Sequence, residues 1–199
     1  MRLPKTAHTS QPWRIHEIAH DFTVEDVWAL PTPGGPDDLP KLIDMFTSND
    51  GPDGFSRITN ALLELRWKIG GLLGLDKPED GVGTRVPTLR DRLPADLRDG
   101  PRGPELGTDP FTSVYLTDSE YVAEMANKTV HGVLHLSWVP DGDGGYRGQM
   151  GVLVKPNGLF GTAYMAAILP FRYLIVYPAM LRGIRKRWAA TYPNLRSVS

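Results

Sequence analysis

The stretch GTAYMAAILPFRYLIVYPAMLRGIRKRW, residues 161–188, decides the fold. It is a long apolar run that contains two prolines and ends in a burst of positive charge. A membrane span needs about 20 apolar residues with few charges. Here Arg172 falls in the middle of the run, where a charge costs about 3 kcal/mol on insertion scales. A helix buried in a core shows one apolar stripe instead. Leu159, Ala163, Ala166, Pro170, Leu174, Tyr177, Leu181, Ile184 and Trp188 recur at steps of three and four, while Arg172, Ala179, Arg182, Gly183 and Lys186 fall opposite. The spacing therefore predicts an amphipathic core helix and no membrane span. Arg182, Arg185, Lys186 and Arg187 sit in its last turns, where cations complement the negative end of the helix dipole. Pro170 and Pro178 each remove a backbone donor, which predicts a kink near Leu169. A straight helix from Asn157 to Ala190 would be about 50 Å long, against a radius of gyration of about 16 Å for a globule of this length. A kink lets the helix wrap the core.

The whole chain has 199 residues, which fits one domain. It has no cysteine, which excludes disulfides, thiolate metal sites and a cysteine nucleophile. With 22 basic and 23 acidic residues and a net charge of -1, it lacks the basic excess of a nucleic-acid binder. The opening MRLPKTAHTSQPWRIHE carries charge but no apolar stretch, so it does not read as a secretory signal and the expected location is the cytoplasm.

Ahead of the closing helix the pattern is mixed. Residues 12–22 alternate as a first strand, 23–30 (TVEDVWAL) read as a helix start, and PTPGGP (31–36) as a loop. Residues 37–46 and 55–74 read as helices. Residues 76–110 hold six prolines and five glycines in 35 positions, a loop with at most a helical turn at TLRDRL. From Phe111 the period becomes two. FTSVYLTD, SEYVAEMAN, KTVHGVLHLSWV and YRGQMGVLVK read as four consecutive strands, with DGDGG (141–145) the turn between the last two. Segregated helices and an antiparallel meander give an α+β class. A curved sheet gripping the long C-terminal helix would bury its stripe and leave room for a cavity between them.

The segment GQMGVLVKPNGLFGTAYMAAILPFRYLIVYPAMLRGI resembles the carboxy-terminal signature of a bacterial family, domain of unknown function 2867, through Asn157, Gly161, Tyr164, Pro170, Phe171, Ile175 and Val176. The family's usual His after Pro-Phe is Arg172 here, a fixed cation. The family in turn resembles the START/Bet v 1-like (SRPBCC) helix-grip superfamily. That resemblance implies a helix-grip fold and a cavity that encloses a hydrophobic ligand or runs cyclase-type chemistry. Some relatives carry the domain behind a nucleotide-binding dehydrogenase domain, which implies a dehydrogenase-like protein partner as one option. It assigns no catalytic residue and implies no cofactor.

The residues themselves give few candidates. His131 and His135 share a strand face but lie about 13 Å apart at 3.3 Å per residue, too far to share a zinc ion. The opposite face, with Val130, Leu134, Leu136 and Trp138, is greasier, so the histidines are expected to face solvent. If a cavity lies on their side, either could act as acid or base near neutral pH. Glu120 and Glu124 read as a solvated face or edge guard, with Glu124 kept as a weak catalytic candidate. Tyr115, Tyr146, Met150, Tyr164, Phe171 and Tyr177 are the candidates to line an apolar ligand pocket. DGDGGYRGQMGV lacks the glutamate of a calcium loop, no nucleotide loop precedes a helix, and no metal site is predicted. Three functions stay open: a binder of a small hydrophobic molecule, a cyclase, dehydratase or isomerase in the same cavity, or an interaction module with a filled core.

Overall fold

The computed structural model describes residues 1–47, 81–106, 111–158 and 172–195. The helix expected at 55–74, the kink near Leu169, and the candidates Tyr164 and Phe171 lie outside them. The described elements are β1 (Arg2–Leu3), α1 (Thr6–Thr9), α2 (Ile15–Ile18), β2 (Thr23–Gly34) and α3 (Leu39–Thr47), then a 3-10 turn (Leu89–Arg92) and α4 (Ala95–Arg98). They continue with β3 (Thr112–Leu116), β4 (Glu120–Ala126), β5 (Val130–Pro140), β6 (Tyr146–Pro156), a π-helical turn (Arg172–Val176) and α5 (Tyr177–Thr191). The class is α+β, with one curved antiparallel sheet in the order β1-β2-β6-β5-β4-β3.

The expected meander is present, and Asp141 closes its last turn by accepting from the Asp143 and Gly145 amides at 2.9 and 3.0 Å. Two N-terminal expectations fail. Residues 12–22 form no strand; Ile15 and Ile18 sit three apart, which buries both on one face of α2 and would split them across a strand. Residues 23–34 are a strand rather than a helix start followed by a loop. A register shift between Val24 and Asp26 breaks the alternation, and so makes Val24 and Val27 look helical. A second shift between Ala29 and Pro33 accommodates the prolines, which a regular ladder would exclude.

Both faces of the sheet are covered. On one, Trp28, Leu136, Trp138, Met150 and Tyr121 pack against α3 and against Tyr177, Ile184 and Trp188 of α5. On the other, Val27, Val122, Val133 and Leu153 pack under Ile15, Ile18, Leu89, Leu93 and Leu97. The C-terminal stripe holds for Tyr177, Ile184 and Trp188, but Leu174 is 76% exposed and Ala179, expected outside, is buried. The π turn explains the difference: its wider i→i+5 spacing rotates the stripe, which sends Leu174 outward and Arg172 toward the sheet. Among the described residues, no helix is long and apolar enough to cross a membrane.

Candidate functional site

Polar side chains are buried on both faces of the sheet. On the helix side the centre is Asp26, level with Val152 of β6 and beside Trp28. A buried carboxylate needs donors or a cation, and the C-terminal helix supplies both. Arg172 Nη2 and the Tyr177 hydroxyl, the latter at 2.6 Å, donate to Asp26 Oδ2, and the Tyr173 hydroxyl donates to Oδ1. Arg172 Nη2 also lies 2.7 Å from the Tyr177 oxygen. Tyr173 accepts from Arg2 Nη2 at 2.9 Å, and the Arg2 guanidinium lies 4.3 Å above its ring. Trp28 packs on Tyr177 at 4.6 Å between centroids.

Burial and the Asp26 carboxylate push the Tyr173 phenol up to about 12. Tyr177 is raised too, by burial first, against the lowering pull of the Arg172 charge and with Asp26 adding to the rise. Burial alone would lower the Arg172 guanidinium, but the Tyr177 and Asp26 oxygens hold it above its ordinary value. The two phenols and the guanidinium therefore keep their protons at neutral pH, and all three donate to Asp26. Two further buried donors there, Arg172 Nη1 and Trp28 Nε1, have no hydrogen-bond partner among the described residues.

The opposite face carries two Glu–His pairs, one from each end of β4. Glu120 Oε2 accepts from His135 Nε2 at 3.1 Å and from the Tyr115 hydroxyl at 2.8 Å, while the Arg14 amide donates to Oε1 at 2.9 Å. The Ile15 amide adds a longer contact at 3.4 Å. Glu124 accepts from His131 Nε2 at 2.8 Å, from the Leu89 amide, which is shared between its two oxygens at 3.1 Å each, and from the Thr88 hydroxyl. Each carboxylate thus takes one histidine from β5 and the first amides of one short helix in the covering layer: α2 for Glu120, the 3-10 turn for Glu124. Those amides have no partner within their own helices. This is why acidic residues occupy a fully buried strand.

Glu120 fixes the protons of a longer chain. Burial would raise its carboxyl, but His135, the Arg14 amide and Tyr115 outweigh it and hold it below the ordinary value. His135 Nε2 therefore donates, its Nδ1 accepts, and His8 Nε2 donates to it at 2.8 Å. Among the described residues, that leaves His8 Nδ1 as a lone-pair acceptor with no partner, and the Trp13 indole N–H nearby on the His135 ring is also unpartnered. His8 and His135 are both 0% exposed. Burial, then His135 and His16, lower His8 to about 3. Burial lowers His135 as well.

The expectation of solvent-facing histidines and a solvated glutamate face is thus corrected. His131, His135, Glu120 and Glu124 are buried, because the face that looks less greasy in sequence is covered by a second layer. The predicted pocket set is divided: Tyr115 belongs to the histidine face, and Tyr146, Met150 and Tyr177 to the helix face. Only Tyr177 among them joins the Asp26 cluster. Asp26 and His8 carried no local signal in the sequence. The one clue to Asp26 was Arg172, a lone cation in an apolar run that needs a buried anion. Among the described residues no group of three or more His, Asp or Glu side chains is arranged to hold a metal ion.

A family model described as protein of unknown function, DUF2867, matches residues 18–179. The chain belongs to that family. No curated protein and no solved structure matches it. The part of this DUF2867 chain that matches includes Asp26, both Glu–His pairs and Arg172–Tyr177; His8 and Trp13 precede it.

Two predictions arise here. Neutral His8 stabilises the fold only where the unfolded chain would also leave it neutral. Its folded value of about 3 lies below the ordinary 6.5, so its contribution is complete above pH 6.5 and falls by about 1.4 kcal/mol per pH unit below that, down to pH 3. Urea midpoints at pH 7.5 and 5 will show the loss, and His8→Gln will flatten it. The second concerns Gly151, where an added Cβ would stand 2.7 Å from His8 Cδ2 and 2.9 Å from Nε2. Gly151→Ala is expected to cost about 1–3 kcal/mol by overpacking, and less in a His8→Ala background, where the clash is gone. Equal costs in both backgrounds would show that His8 does not require the notch.

Proposed function

We propose that this chain is a helix-grip protein of the START/Bet v 1-like (SRPBCC) type that binds a small, mainly apolar molecule between the sheet and the C-terminal helix. The observation that carries this is the pair of buried donors without partners among the described residues, Arg172 Nη1 and Trp28 Nε1, in an aromatic surround at Asp26. Leaving a buried donor unmet costs about 1–3 kcal/mol, and a ligand acceptor removes that cost. The Arg172 charge is already matched by Asp26, so a neutral carbonyl oxygen on an apolar body fits better than a carboxylate. A bacterial, cytoplasmic ligand carrier or sensor goes with this reading.

A second reading has one observation in its favour. The Tyr173 hydroxyl is held by Asp26 and Arg2 and its side chain is only partly buried. It could pass a proton to a bound carbonyl, as a dehydratase or isomerase requires. Native mass spectrometry of the protein purified without denaturants tests the binding reading. The expected result is a discrete mass excess that organic extraction removes and that Asp26→Ala abolishes. A bare chain mass, together with no saturable binding of a methyl ketone, would overturn it.

A further inference from the structure

Residues 2–8 touch both buried clusters, although these lie on opposite faces of the sheet. Arg2 pairs with Trp28, and Leu3 with Val27, at the sheet edge. Arg2 reaches the helix face and holds Tyr173, which holds Asp26. Six residues later, His8 enters the other face, fills the space over Gly151 and donates to His135. Between these ends the segment is held to the sheet by Gln149 Nε2, which donates to the Ala7 carbonyl at 3.2 Å. Behind it, His16 Nε2 lies 3.3 Å from the His8 carbonyl.

We infer that residues 2–8 are a proton-operated link, in which His8 registers acid on one face and Arg2 carries the release to Asp26 and Tyr173 on the other. This rests on the Asp26 cluster being the functional site. A proton added to His8 lands on Nδ1, the atom with no acceptor. A proton added to His135 lands on Nδ1, where it opposes the His8 donor. Each therefore places a positive charge in a buried site where no described residue offers an acceptor for it. The groups around His8 are His16 from α2, His135 from β5, Glu120 from β4 and, through Glu120, Tyr115 from β3. On β6 the neighbours Gly151 and Gln149 do not titrate. Among the described residues the anion that acts on His8 is Glu120, and it is already engaged by His135, Tyr115 and two amides, so it offers the new proton little.

Hydrogen exchange on ligand-free protein, corrected for intrinsic rates, tests the link. The opening constant of residues 2–8 is expected to rise about 30-fold from pH 7.5 to 5, the ratio set by a released His8 of ordinary basicity. The amides of 172–177 are expected to lose protection in parallel while β5 and β6 keep theirs. His8→Gln retains a donor to His135 without a titrating ring, and its segment should stay protected at both pH values. In Arg2→Ala the segment should still respond while 172–177 no longer follow. Unchanged exchange in the wild type, or an equal loss in His8→Gln, would overturn the sensor. Residues 172–177 that still follow in Arg2→Ala would overturn Arg2 as the carrier. No ligand enters these measurements, so failure to find a bound molecule would defeat the proposed function and leave the coupling to be judged separately.

Discussion

Glu120→Ala is expected to destabilise the fold by about 4 kcal/mol. The substitution strips the acceptor from the His135 imidazole, the Tyr115 hydroxyl and the Arg14 and Ile15 amides. Each buried donor left unmet costs about 1–3 kcal/mol, and part of that is recovered as the layer over the sheet relaxes. Tyr115 and His135 are wholly buried, so water cannot substitute without displacing α2. Against a typical total of 5–15 kcal/mol, the variant will be close to unfolding at ordinary temperature. Glu120→Gln keeps the shape and one acceptor oxygen and is expected to cost about half as much. Urea denaturation at pH 7.5 checks both. Had Glu120 been on a solvated edge, as its sequence context suggests, the change would fall within about 0.5 kcal/mol, so the two accounts are far apart.

The second large effect is at Asp26. Asp26→Ala leaves the Arg172 guanidinium, whose side chain is only 13% exposed, facing two phenols and no anion. Breaking a buried ion pair from one side costs about 3–5 kcal/mol. Removing both charges is a different matter, because desolvation of the pair offsets most of its attraction. Asp26→Leu combined with Arg172→Met is therefore expected to recover at least half of the loss. Thermal and urea unfolding of the two single variants and the double variant give the coupling directly. Additive losses would mean that the two side chains do not depend on each other. The same comparison explains how the chain accommodates an arginine within an apolar run: Asp26 is there to neutralise it.

The sequence made the meander and the closing helix legible because both obey one period over many residues. α3 was legible for the same reason. β2 was not, since a bulge after Val24 and prolines at 31 and 33 erase alternation, and α2 is too short for its period to outweigh its neighbours. Histidine placement failed for a more general reason. Alternation tells which residues share a face, and 131 and 135 do share one, but it does not tell which faces are covered. The less apolar face was assigned to solvent, whereas α2, the 3-10 turn and α4 bury it, and Glu120 and Glu124 accept the first amides of α2 and of the 3-10 turn. Long-range pairings leave little local mark: Arg172 announces that it needs an anion without saying that it is Asp26, and nothing near His8 points to His135.

The proposal turns on where a ligand would touch the protein. Tyrosines labelled with carbon-13 at the ζ position report this when the protein is titrated with a medium-chain methyl ketone such as 2-nonanone. Tyr173 and Tyr177 sit in the Asp26 cluster, and Tyr115 sits across the sheet beside Glu120. The expected result is a saturable shift of the Tyr173 and Tyr177 signals with Tyr115 unmoved, lost in Asp26→Ala. No saturable shift at Tyr173 and Tyr177, or a shift confined to Tyr115, would contradict a binding site beneath the C-terminal helix.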